Sequence, residues 1–80
     1  MVTKKIVVTG LVQGIGFRPF VAELAEKLNI TGWVRNSDGI VTCQVSGEAS
    51  AVSAFTNSLR TDAPPGAWIE QIKEQVLNAL

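Results

Sequence analysis

The sequence predicts an α+β fold with the element order βαββαβ. Apolar residues alternate in short runs rich in β-branched side chains, whereas in two longer segments they recur at helical spacing. An Asp-Gly pair lies between the second and third runs and is a strong hairpin signal. With 80 residues, 46% of them hydrophobic, the chain is long enough for one small domain with its own core.

The first half of the chain contains a strand, a glycine-rich loop and a helix. Residues 5–9 are rich in β-branched side chains and are predicted to form the first strand. The loop spans residues 10–16, and Pro19 suits the first turn of the helix, where a missing N–H costs nothing. The helix carries one apolar stripe, and Asn29 is predicted to end it.

The second half of the chain supplies the remaining elements. Residues 31–36 and 40–45 are predicted strands, with Trp33 interpreted as a packing residue, and residues 49–59 are predicted to form the second helix. Apolar residues in the tail are spaced like a helix face, but a final strand, residues 67–73, can pair beside the first. The result is a ferredoxin-like sandwich, an antiparallel sheet with two helices on one face.

The composition excludes several classes of function. Seven basic and seven acidic residues give no net charge, so neither a nucleic-acid nor a membrane partner is expected. The chain has no histidine and a single cysteine, Cys43, which is predicted to lie in the core, and we therefore expect no metal and no cofactor. A lone cysteine fits a reducing compartment, and we expect a cytoplasmic protein.

The segment from Gly10 to Phe20 points to anion binding. It places a glycine-rich loop between a predicted strand and the start of a helix. Loop N–H groups in such a segment can converge on an anion at the positive end of the helix dipole. Arg18, at the helix start, adds a planar fork of donors that fits phosphate oxygens. A simple tight turn between strand and helix is the other interpretation, because glycine-rich turns are common.

Two motifs resemble signatures of the acylphosphatase family. The first is Val-Gln-Gly-Ile-Gly-Phe-Arg at residues 12–18, and the second is Gly-Trp-Val-Arg-Asn at residues 32–36. Their spacing across one helix also resembles that family, as does the Ala-Pro-Pro-Gly-Ala loop at residues 63–67. The proline after Arg18 resembles, more narrowly, the N-terminal acylphosphatase-like domain of the hydrogenase-maturation carbamoyltransferase.

The resemblance implies hydrolysis of an acyl phosphate to a carboxylate and inorganic phosphate without a metal. Carbamoyl phosphate would be the substrate if the narrower resemblance holds. The resemblance implies that Arg18 and Asn36 are catalytic, with Asn36 orienting the attacking water. The phosphate-binding residues that it implies are Gln13, Gly14, Ile15, Gly16, Phe17 and Arg18. The expected partner is a small-molecule acyl phosphate.

A second interpretation stays open, in which the chain binds phosphate or an acyl phosphate without turning it over, as a module of a larger hydrogenase-maturation protein. Family members usually carry one more strand, so residues 1–80 are expected to form one acylphosphatase-like domain that is either complete or truncated at its C-terminus. The chain is expected to be a monomer or to be joined to further domains. An RNA-recognition motif shares the topology, but residues 5–9 and 40–45 offer no aromatic side chain for stacking bases.

Overall fold

A computed structural model describes residues 1–12 and 16–79 of the chain and contains the predicted element order. The elements are β1 (Val2–Leu11), α1 (Phe17–Lys27), β2 (Thr31–Ser37), β3 (Ile40–Gly47), α2 (Ala49–Thr61) and β4 (Trp68–Ala79). The strands form one sheet in the order β2-β3-β1-β4, and every neighbouring pair is antiparallel. Among the described residues, no helix is long and apolar enough to span a membrane.

The core lies between one face of the sheet and the two helices. Val41, Cys43 and Val45 alternate along β3 and are all buried, as their spacing predicts. In β1, Ile6 and Val8 lie opposite Cys43 and Val41 and complete the buried face of the two central strands. The helices contribute the buried side chains Phe17, Val21, Leu24, Val52, Phe55 and Leu59.

Helix α1 ends at Lys27, two residues before the asparagine that the sequence predicts to end it. Asn29 has a φ of 58°, and its N–H donates to the carbonyl of Glu26 at 3.1 Å. The N–H of Ile30 donates to the carbonyl of Ala25 at 2.8 Å. These two bonds form a Schellman motif, which satisfies carbonyls of the last turn and directs the chain into β2.

The first strand is longer than predicted. Gly10 and Leu11, assigned to the loop from the sequence, lie in β1 and pair with Ile69 and Trp68 of β4. Gly10 has a φ of 131°, and a Cβ built on it would lie 2.2 Å from the carbonyl oxygen of Trp68. The glycine therefore permits a close approach of two strands, which a sequence pattern cannot separate from a loop signal.

The last strand is also longer than predicted, and its helix-like spacing has a structural cause. The prediction of residues 67–73 stops short, since β4 continues to Ala79. The pairing shifts between Thr9 and Gly10, where Thr9 lies opposite Gln71 and Gly10 lies opposite Ile69. The extra residue is a β-bulge, so apolar residues three positions apart return to the same face of the strand.

Trp33, interpreted from the sequence as a packing residue, is instead 45% exposed. It lies opposite Gln44 on the face of the sheet that points away from the helices. The guanidinium carbon of Arg35 lies 5.4 Å from the centre of the Trp33 ring, a cation–π contact on an open surface. Periodicity alone places Trp33 in a strand, but it does not determine on which face of the strand the side chain lies.

Candidate functional site

The predicted site residues come from segments that meet at one end of the sheet. Strands β1 and β2 are both antiparallel to β3, so they run in the same direction and end on the same side. Val8 pairs with Val41, and Val41 pairs with Asn36, so the three residues form one row across the sheet. Asn36 therefore lies level with the part of β1 that leads into the glycine-rich loop.

Asn36 presents an amide to the helix-facing side of the sheet. The hairpin turn at Asp38 and Gly39, with φ values of 53° and 77°, fixes the register that puts Asn36 opposite Val41. Its Oδ1 atom is buried and has no hydrogen-bond partner among residues 1–12 and 16–79. A buried acceptor without a partner typically costs about 1–3 kcal/mol, so the Asn36 amide is a candidate for binding a water or a ligand.

The start of α1 presents backbone N–H groups to the same end of the sheet. Gly16 precedes the helix in the left-handed conformation, and no side chain caps the helix start. The first intrahelical bond runs from the N–H of Phe20 to the carbonyl of Gly16 at 3.1 Å. The N–H groups of Phe17 and Arg18 precede that bond and lack intrahelical acceptors, as in any helix start, and Pro19 has none to offer. Such donors at the positive end of a helix dipole suit an anion.

Arg18 adds a full positive charge at this helix start. Its side chain is exposed, and the first turn of α1 contains no acidic residue. Within the described part of the chain, the ion pair is formed by Lys4 and Glu74 at 3.0 Å and does not include Arg18. A cation beside the N-terminus of a helix is unfavourable against the helix dipole. An anion bound between the guanidinium and the helix start would reverse that penalty.

Phe17 holds the helix start against the core. Its side chain is 2% exposed, and its ring centre lies 5.5 Å from that of Phe20, with the two rings tilted by 59°. Because the ring of Phe17 is fixed by packing, the backbone of Phe17 and Arg18 is fixed with it. Donors that are held in place before a ligand arrives lose little entropy when it binds.

The structure thus places Gly16, Phe17, Arg18 and Asn36 at one end of the sheet. Three further residues of the predicted phosphate loop, Gln13, Gly14 and Ile15, lie outside the described residues. Sequence reasoning missed one feature at this end, an exposed pair formed by Leu11 and Trp68, because Leu11 was assigned to the loop and the register of the final strand, which contains Trp68, was not predicted. The strand pairing of Gly10 is the signal that reveals it.

A groove of about 520 Å³ lies between α1 and β2 and is distinct from the candidate anion site. Apolar side chains such as Val21, Ala25, Ile30 and Val34 line most of it, and neither Arg18 nor Asn36 contributes. The charged residue in its lining is Glu26, whose carboxylate would repel a phosphate. We therefore place the candidate anion site at the sheet end rather than in this groove.

Comparison with known proteins places this geometry in a family. The family model described as acylphosphatase matches residues 4–79. The acylphosphatase of Alcanivorax borkumensis is 41% identical over 73 residues, which cover 90% of this chain and 78% of that protein. The carbamoyltransferase HypF2 of Cupriavidus necator is 46% identical over 71 residues, which cover 89% of this chain but 9% of that protein.

Solved structures agree with the sequence comparison. The crystal structure of acylphosphatase from Bacillus subtilis matches with a TM-score of 0.93 and 33% identity, over 100% of this chain and 89% of that one. Full-length HypF in its phosphate- and nucleotide-bound form matches with a TM-score of 0.93 and 32% identity, over 98% of this chain and 10% of that one. The predicted ferredoxin-like βαββαβ fold is confirmed. This chain spans about a tenth of the length of the carbamoyltransferases that it matches.

Proposed function

The chain belongs to the acylphosphatase family, and from that premise we propose that it hydrolyses acyl phosphates to a carboxylate and inorganic phosphate. The observation that carries the proposal is the buried Oδ1 atom of Asn36, which has no hydrogen-bond partner among the described residues and lies at the sheet end where α1 begins. A buried amide oxygen accepts hydrogen bonds, and the hydrolytic water is a donor that it can position. Arg18 at the same end supplies charge for the phosphoryl group.

The phosphoryl group is held by charge and backbone donors. The guanidinium of Arg18 and the N–H groups of Gly16, Phe17 and Arg18 bind its oxygens. By family resemblance, the N–H groups of Gln13, Gly14 and Ile15 complete the set. Phosphoryl transfer spreads negative charge over these oxygens in the transition state, and preorganised donors stabilise that charge without reorganising.

The water is positioned by Asn36 and attacks phosphorus. Its oxygen forms a new P–O bond while the bond between phosphorus and the acyl oxygen breaks, and the electron pair of that bond leaves with the carboxylate. Both protons of the water end on phosphate, so an acyl phosphate dianion and water give a carboxylate and H₂PO₄⁻. Carboxylic acids have pKa values near 4, so the leaving group needs no proton from the protein. Asn36 orients the water and does not take up its proton.

A second candidate function is supported by the share of the relatives that the chain covers. In the carbamoyltransferases of Cupriavidus necator and Synechocystis, a domain like this chain is one part of a longer protein. On this alternative the chain holds phosphate, or an acyl phosphate such as carbamoyl phosphate, as a non-catalytic module of a larger hydrogenase-maturation protein. The same Arg18 and backbone donors would bind the anion, and Asn36 would be dispensable.

The proposal extends to partners and compartment. The partner is a small-molecule acyl phosphate, and neither nucleic acid nor a membrane takes part. The chain acts as a monomer or is joined covalently to further domains of a longer protein. A cytoplasmic location is supported by Cys43, a free and buried thiol without a second cysteine in the chain with which it could form a disulfide.

Hydrolysis of benzoyl phosphate in EDTA, followed by the release of inorganic phosphate, tests the proposal. Turnover well above the spontaneous rate is the expected result. A folded protein that gives none would reject the enzymatic function. Titration of inorganic phosphate by NMR would then decide the alternative, since the binding module predicts saturable shifts of the amide signals at Gly16 and Phe17.

A further inference from the structure

The open face of the sheet, the one that points away from both helices, carries a row of residues that crosses all four strands. Lys5 and Val7 alternate with buried residues of β1, so both side chains point to the open face. The partners of Val7 share its face, and they are Lys73 on β4 and Thr42 on β3. Thr42 in turn pairs with Arg35 of β2. The row therefore ends in a basic residue at each edge of the sheet.

The charge on the open face has one sign. Among the described strand positions that share this face, the charged residues are Lys5, Arg35 and Lys73, and all three are exposed. Glu74 of β4 lies opposite the buried Ile6 and so belongs to the helix-facing side. A chain with no net charge thus places only positive charge on the strands of its open face, which favours an anionic partner there.

The basic residues are spaced like the side chains of an extended segment. Asp38 in the hairpin turn and Glu70 in the bulge of β4 border the open face and limit its basic part. Lys5 and Lys73 are diagonal neighbours on adjacent strands, about 7–8 Å apart. Arg35 is three strand spacings from Lys73, about 14 Å. Side chains on one face of an extended chain recur every ~7 Å, so alternate carboxylates of such a chain can reach these cations together.

Trp33 holds the guanidinium of Arg35 in place. The cation–π contact between them keeps the N–H groups of the arginine free to bind a carboxylate in a bidentate manner. Trp33 also shares a row with Lys5, because both residues pair with Gln44. Tryptophan and arginine are the residue types that contribute most to binding at protein interfaces. The β2 edge of the open face therefore offers an anchor for a protein partner.

A polypeptide fits this face better than a nucleic acid or a membrane does. Single-stranded nucleic acids bind where bases stack on aromatic side chains, whereas the two central strands present Lys5, Val7, Thr42 and Gln44. Anionic membranes are recognised by clusters of roughly four to eight basic residues, more than the open face carries. In the carbamoyltransferases of Cupriavidus necator and Synechocystis, a domain like this chain occurs beside further polypeptide.

We propose that the open face docks an extended acidic segment of a partner protein, whose carboxylates pair with Lys5, Lys73 and Arg35. This inference does not rest on the proposed hydrolysis. Arg35 and Asn36 are consecutive in β2 and point to opposite faces of the sheet, so a docked segment leaves the proposed hydrolytic site accessible. Because the ion pairs are exposed, the association is reversible and weakens as the salt concentration rises.

Titration of the isotope-labelled chain with an oligoglutamate peptide, followed by NMR at low ionic strength, tests the proposal. Saturable shifts are expected at the amides of Lys5, Thr42 and Gln44, and added salt is expected to reduce them. The double variant Lys5→Gln/Lys73→Gln should raise the dissociation constant about tenfold, the effect of losing two exposed ion pairs. The same variant keeps the wild-type rate of benzoyl phosphate hydrolysis, because the open face lies opposite Asn36.

The matched control removes the same charge from the helices. Lys27 and Arg60 are exposed basic residues in the last turns of α1 and α2. Lys27→Gln/Arg60→Gln therefore lowers the net charge by the same amount as the test variant. It should raise the dissociation constant less than about twofold, because charges remote from the bound peptide are screened.

The outcomes decide both the site and the class of partner. Absence of saturable shifts overturns the proposal, and so does equal weakening by the two double variants, which would reveal a general charge attraction. Shifts confined to Gly16, Phe17 and Arg18 would place the peptide at the anion site instead. Tighter binding of oligothymidylate or of phosphatidylserine vesicles than of oligoglutamate would assign the face to a nucleic acid or a membrane and contradict a protein partner. Loss or retention of hydrolysis in the wild type leaves each of these outcomes unchanged.

Discussion

Asn36 pairs with Val41 across the β2–β3 hairpin, and this pairing brings an amide into the apolar row that faces the helices. Val41 is fully buried, and the Oδ1 atom of Asn36 is buried without a partner in the described part of the chain. An apolar side chain at position 36 would suit that row better. The proposed role of Asn36 in positioning a water accounts for an amide at this position, which packing alone does not favour.

Replacement of Asn36 by valine is expected to raise stability and abolish activity. The change removes an acceptor that no described residue satisfies and adds a β-branched side chain to a strand, so the free energy of unfolding is expected to rise by about 1 kcal/mol. Urea denaturation measures this, with Ser37→Val, whose parent side chain is exposed on the opposite face, as the matched control. A loss of more than about 1 kcal/mol in Asn36→Val would mean that the amide has a structural partner.

Replacement of Arg18 by glutamine is expected to lower kcat/KM by at least about 100-fold, the usual effect of removing one donor to transition-state charge. Arg18→Lys recovers only part of the loss, because an ammonium group lacks the planar fork. Arg18 is exposed, so the melting temperature stays within a degree or two or rises slightly as the charge leaves the helix start. Arg35→Gln, an exposed arginine of β2, is the control and retains full activity.

The two glycines Gly10 and Gly66 are expected to respond differently to alanine. Both have positive φ, 131° and 90°, but a Cβ at Gly10 would strike the backbone of β4, whereas at Gly66 it meets nothing within 4 Å. Gly66→Ala should cost only the local strain, about 1–2 kcal/mol. Gly10→Ala should cost at least about 2 kcal/mol more, since β1 and β4 must separate. Equal losses of stability for Gly10→Ala and Gly66→Ala in denaturation experiments would show that the close approach of β1 and β4 adds nothing to the cost.

The thiol of Cys43 is expected to make stability fall at alkaline pH. Burial raises the pKa of this thiol from 9.0 to about 12. Above pH 9 the unfolded chain has lost a proton that the folded chain keeps, so the free energy of unfolding falls by about 1.4 kcal/mol per pH unit towards pH 12. The contribution is fully present below pH 9. Cys43→Ala, which lacks the thiol, should lose less stability than the wild type over the same range. Parallel curves would contradict the prediction.

The sequence predicts those parts of the fold that depend on local rules. The Asp38-Gly39 pair sets the hairpin, and alternation along β3 identifies Val41, Cys43 and Val45 as core. Prediction failed where long-range pairing decides, as at Gly10, whose strand conformation depends on β4, and in β4 itself, where a bulge imitates helical spacing. Local rules give no preference between the two faces of an edge strand for Trp33.

The site residues also divide into those that local chemistry predicts and those that depend on long-range pairing. Loop glycines and Arg18 suggest an anion from their chemistry alone, whereas Asn36 by itself is an ordinary turn residue. The proposed role of Asn36 depends on the register that places its Oδ1 atom in a buried position. Register is a property of two strands together and cannot be determined from one of them. The exposed pair at Leu11 and Trp68 was missed for the same reason.

Hydrolysis of benzoyl phosphate in ¹⁸O-labelled water with EDTA distinguishes attack of water at phosphorus from attack at the acyl carbon. If Arg18 and the helix start hold the phosphoryl group and Asn36 presents the water to phosphorus, one ¹⁸O atom enters each molecule of phosphate and none enters benzoate. Arg18→Gln gives no turnover above the spontaneous rate. Label in benzoate would show attack at the acyl carbon, and wild-type turnover by Arg18→Gln would remove the arginine from the mechanism; either result contradicts the site described.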